Sequence, residues 1–62
     1  MPSTTVKWYR RSLINSQYSD ISVEYIDSQI VEGFLAYRKG ESNGTMSDIA
    51  CEFYLMFKAE LA

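Results

Sequence analysis

From Met46 onward, apolar residues recur at spacings of three and four: Met46, Ile49, Ala50, Phe53, Phe57 and Leu61. At about 100° per residue these positions form one stripe, the mark of a helix that buries a single face. Thr45 and Asp48 stand at the spacing of a capping box, with Asp where Glu or Gln is usual. Ser47, Asp48 and Glu52 suit the positive end of the helix dipole. The pattern predicts a helix over 45–61.

The middle of the chain carries a second stripe, Val23, Ile26, Ile30, Phe34 and Tyr37. Asp20, Glu24 and Asp27 sit early in it, Arg38 and Lys39 sit late, and Gly40 follows as a natural terminating residue. This predicts a helix over 20–39. A rival pattern overlaps its start. Ile21, Val23 and Tyr25 alternate with Ser22 and Glu24, which is the period of a strand. In that case Asp27 caps a shorter helix, with Ile26 and Val31 as a hydrophobic staple. The helix also has a second apolar set, Ile21, Tyr25, Val31 and Leu35, away from the first. A helix apolar on two faces is normally buried on two faces.

The first segment is read as a helix over 4–15. Val6, Tyr9 and Leu13 share a face, and Ser3 or Thr4 is placed to cap it. Thr4, Thr5, Val6, Trp8 and Tyr9 are also good strand formers. Polar, turn-prone residues 15–20 and the glycine-containing stretch 40–44 separate the three segments. The expected fold is therefore all-α: one domain over 1–62, built on an antiparallel helical hairpin (20–39 and 45–61), with an N-terminal helix across it. The alternative is ββαα, or an arrangement like ribbon–helix–helix.

Composition narrows what such a fold does. In 62 residues there are one cysteine and no histidine, so no intrachain disulfide forms and the usual metal sites lack ligands. No cofactor is expected. No apolar run approaches the roughly 18 residues of a membrane span, and residues 1–7 lack the apolar core of a secretory signal. These features predict a cytoplasmic chain without membrane partners. Trp8, five tyrosines and three phenylalanines are a large bulky surface for a chain this size. Small domains without disulfides or metals gain stability by association, so a homo-oligomer or a protein partner is expected.

Charge is uneven. Lys7, Arg10 and Arg11 face no acid within residues 1–19, whereas residues 20–62 carry a net −5. The acidic body disfavours nucleic acid as a ligand. The basic end is also aromatic. Trp8, Tyr9, Arg10 and Arg11, with Tyr18 in the following loop, are the candidate partner-binding residues, since Trp, Tyr and Arg are enriched at interfaces.

Catalytic candidates are weak. Cys51 has no histidine to act as base. Glu24 with Asp27, and Asp48 with Glu52, are helix neighbours of the kind that line surfaces near an N-terminus. Gly40 and Gly44 lack the Lys-Ser/Thr of a phosphate loop. The chain is read as not an enzyme.

Two resemblances touch parts of the chain. Ser28-Gln29-Ile30-Val31-Glu32 resembles the Ser-Gln-x-x-Asp helix of a family of small aspartyl-phosphate phosphatases, over about one helix and with Glu32 in place of the Asp. The stretch Ile21–Ile26, helices 27–39 and 45–61, and the turn Gly44-Thr45-Met46-Ser47-Asp48-Ile49-Ala50 are similar to ribbon–helix–helix repressors. That likeness implies an intertwined dimer reading DNA from the strand. Its outward residues would be Ser22 and Glu24, and phosphate repels Glu24. The reading best supported by the residues is a small protein-binding regulator, adaptor or inhibitor acting as a homodimer. A DNA-binding repressor is the alternative.

Overall fold

The computed structural model describes residues 4–16, 21–40 and 44–61. They form three helices: α1 (Thr4–Asn15), α2 (Val23–Lys39) and α3 (Asp48–Leu61). There is no strand among the described residues, so the fold is all-α as the periodicity predicts. The ββαα and ribbon–helix–helix alternatives lose their premise, because Val23–Ile26 is the first turn of α2.

That turn is set by Ser22. Its backbone is extended (φ −77°, ψ 155°) and its hydroxyl accepts a hydrogen bond from the Tyr25 amide. The Ile26 amide donates to the Ser22 carbonyl at 3.1 Å. The helix thus starts three residues later than residue 20. Among the described residues no strand is present to pair with one here, whereas the helical register places Ile26 fully in the core. Asp20 lies outside the described residues. At the other end Gly40 adopts the left-handed conformation (φ 81°, ψ 15°), and its amide reaches the Ala36 and Tyr37 carbonyls. This is the terminating role expected of it.

Helix α3 likewise begins later than the sequence suggests. Its cap is Ser47, not Thr45: the Ser47 hydroxyl accepts from the Ala50 amide at 3.0 Å, and its carbonyl accepts from Cys51. The same hydroxyl donates to the side-chain carbonyl of Gln29, tying the start of α3 to α2. A serine two residues after the threonine wins because it caps the helix and reaches α2 at once.

The core is Val6, Ile26, Phe53 and Phe57, with Tyr9, Leu13, Ile30, Phe34, Tyr37, Ile49 and Met56 packed around it. Helix α2 approaches α3 closely at Gly33. A Cβ there would lie 2.9 Å from the Ala50 carbonyl oxygen, the Phe53 Cβ and the Tyr54 amide nitrogen. Further along, the Phe34 and Phe57 rings meet edge-on at 5.2 Å, and the Tyr37 hydroxyl donates to the Leu61 carbonyl.

These contacts climb both helices together: Gln29 with Ser47, Gly33 with Ala50 and Phe53, Phe34 with Phe57, Tyr37 with Leu61. The helix pair expected from the sequence is present, but α3 runs in the same general sense as α2. An antiparallel pair would put Gln29 beside the last turns of α3. The connection is long enough to allow this. Residues 40–47 can span up to about 26 Å, and Gly40 lies only about 16 Å along the axis from Gln29.

Candidate protein-interaction surface

Helix α1 lies across the α2–α3 pair. Its inner face is the Val6, Tyr9, Leu13 stripe: Val6 is fully buried, and the Tyr9 ring packs edge-on against Phe53 at 5.2 Å. The helix ends where the Ser16 hydroxyl and amide both donate to the Leu13 carbonyl. With its inner face fixed this way, the 3.6-residue period turns Lys7, Trp8, Arg11, Ser12, Ile14 and Asn15 outward, and all six are exposed.

The five residues singled out by the sequence separate accordingly. Trp8, 76% exposed, and Arg11 share the outer face. Tyr9 is half-buried in the core. Burial raises its phenol above the ordinary tyrosine range, with a further push from the charge of Glu52. Arg10 sits on the flank facing α2, where its guanidinium donates to both carboxylate oxygens of Asp27, at 2.7 and 3.3 Å. That hydrogen bond holds the Asp27 carboxyl below its usual range and raises Arg10. Both side chains are partly open to water, 39% and 50% exposed. Tyr18 lies outside the described residues.

Two residues not singled out belong to the outer face: Lys7 and Ile14. Their signal was present in the spacing, since Lys7, Arg11 and Ile14 follow at four and three on the side opposite Val6, Tyr9 and Leu13. Two shallow depressions run along this face, one lined by Lys7, Arg10, Arg11, Ile14 and Asn15, the other by Lys7, Trp8, Arg11 and Ser12. Helix α1 has no acidic residue. With Arg10 already paired, Lys7 and Arg11 have no ion pair among the described residues and make a positive edge beside an exposed indole.

The remaining chemistry is dispersed. Cys51 is a half-buried free thiol on α3. Glu24, Asp48 and Glu52 are exposed, and Asp27 is occupied by Arg10. No three of the described His, Cys, Asp or Glu side chains are grouped to hold a metal ion, and no described helix is long and apolar enough to cross a membrane. Comparison with protein-family models, curated proteins and solved structures finds no match to this chain.

Proposed function

We propose that the chain is a small non-enzymatic regulator or adaptor, cytoplasmic and homodimeric, that binds an acidic protein partner on the outer face of α1. The observation that carries this reading is Trp8, 76% exposed between Lys7 and Arg11 on a helix without acids. A large rigid aromatic flanked by cations is the side-chain set that dominates binding energy at protein interfaces. The positive edge favours a partner of opposite sign and speeds its capture.

The test is capture from host lysate by the wild type and by two variants, Trp8→Ala and Lys7→Ala with Arg11→Ala. Each variant keeps the inner face of α1 and should retain its melting temperature. Loss of a central aromatic should reduce recovery by about tenfold or more, and loss of the two cations should reduce it more at low salt than at high. Undiminished recovery with Trp8→Ala would refute the reading. So would duplex DNA as the captured species, bound with a steep salt dependence.

A further inference from the structure

The outward side of α2 carries a second exposed apolar pair, Val31 and Leu35, 55% and 48% exposed. On this side, away from Ile26 and Gly33, positions 24, 28, 31, 35 and 38 follow at spacings of four and three. That is the repeat with which one helix seats against another. The residues are Glu24, Ser28, Val31, Leu35 and Arg38. An acid marks one end of the row, a base the other, and the apolar pair lies between. Glu24 and Arg38 stand equally far from Val31, about 10 Å each way along the axis.

We propose that two copies of the chain pair through this face of α2 in antiparallel sense, about a twofold axis at Val31, with Glu24 of each copy against Arg38 of the other. This rests on the homodimer reading above and assigns its interface. The pattern distinguishes antiparallel from parallel pairing. Antiparallel pairing brings opposite charges together at both ends and sets Leu35 of each copy over Ser28 of the other, large on small. The Ser28 hydroxyl already donates to the Tyr25 carbonyl at 2.7 Å, so covering it strands no donor. Parallel pairing would set Glu24 on Glu24 and Arg38 on Arg38, and like charges face to face disfavour association.

Glu24 and Arg38 have no charged partner within the described chain that competes for this role. The Arg38 side chain is exposed, with its guanidinium over the Phe34 ring at 5.8 Å from the ring centre, a contact that pairing with Glu24 of the other copy would replace. Lys39 adds a second cation beside Arg38. Glu32 lies to one side of the row, where two copies keep it in water. Five positions on one helix make a small interface, of the class that associates weakly and reversibly.

Sedimentation equilibrium over a micromolar concentration series tests this with Glu24→Arg, Arg38→Glu and the two combined, each checked for helix content by circular dichroism. The wild type should be a reversible dimer. Each single reversal puts like charges together at both ends and should weaken it by about tenfold. The combined variant restores opposite pairs and should return to near wild-type association. Each reversal opposes the helix dipole at its own end, and the combined variant opposes it at both, so recovery cannot come from a more stable helix. A dimer insensitive to the single reversals, or one the combined variant fails to restore, would overturn this interface while leaving the homodimer reading standing. A wild type that stays monomeric would overturn both. If a reversed variant does not fold, crosslinking decides. In a Cys51→Ser background, a short bismaleimide should join Ser28→Cys chains to Leu35→Cys chains. Joining Ser28→Cys chains to each other instead would refute the antiparallel sense.

Discussion

Replacing Gly33 by alanine adds one methyl group at a close approach between α2 and α3. That methyl would stand 2.9 Å from the Ala50 carbonyl oxygen, the Phe53 Cβ and the Tyr54 amide nitrogen. None is the loose end of a side chain. Relief therefore requires the helices to part by about 0.5 Å, and a gap of that size already forfeits about a quarter of each affected dispersion contact. Overpacking of this kind costs about 1–3 kcal/mol, and contact with rigid backbone argues for the upper part of the range. Alanine regains about 1 kcal/mol of helix propensity. The net loss is about 1–2 kcal/mol. In a domain of this size each kcal/mol lowers the melting temperature by about 4–8 °C, so Gly33→Ala should melt about 5–15 °C lower.

The other two glycines separate space from conformation. Gly40→Ala meets no atom within 4 Å but forces a side chain into φ 81°, at about 1–2 kcal/mol. Gly40→Asn should recover part of that, since Asn tolerates the left-handed region. Gly33→Ser should recover nothing. Gly44→Ala has open space and should be near neutral. Melting followed by circular dichroism at one fixed protein concentration, because association raises apparent stability, reads all five. A Gly33→Ala chain that melts at or above the wild type would refute the close approach, leaving helix propensity as the larger effect.

Phe53→Ala removes a fully buried ring that packs against Tyr9. It should cost about 3–5 kcal/mol, most of what a domain of this length holds, and circular dichroism at 25 °C should show a largely unfolded chain. Ser22→Ala and Ser47→Ala each remove a cap and should cost about 1 kcal/mol in urea unfolding. Ser47→Ala should lose more, because the Gln29 contact goes with it. Asp27 is held below its usual range by Arg10, so its contribution is present above the unfolded carboxyl range and is lost as pH falls through the depressed folded value. Wild type and Asp27→Asn should accordingly differ in urea midpoint at pH 7 and converge in strong acid. A difference that persists there would detach the effect from ionisation.

Elements whose signals lie within a few neighbouring residues could be read from the chain alone. The α3 stripe has Ala50, Phe53 and Phe57 buried, as its spacing required. Gly40 ends α2, and Val6, Tyr9 and Leu13 name the inner face of α1. Once that face is known to be the buried one, the helical period turns Trp8 and Arg11 outward and brings Lys7 and Ile14 beside them. The chain alone did not settle whether the large indole of Trp8 or the small Val6 fills the core. Size and hydrophobicity argue for burial of either, and only the presence of Phe53 and Phe57 opposite Val6 decides. The start of α3 was equally out of reach, since Thr45 and Ser47 are both good caps and the choice falls to the one that also meets Gln29. Gly33 reads in isolation as a weak point in a helix. Its role as the contact point with α3, and the direction in which α3 runs past it, depend on residues some 20 positions away. Local spacing determines which residues share a face. Which faces meet, and in what direction, is determined by packing between segments whose separation along the chain leaves no local trace.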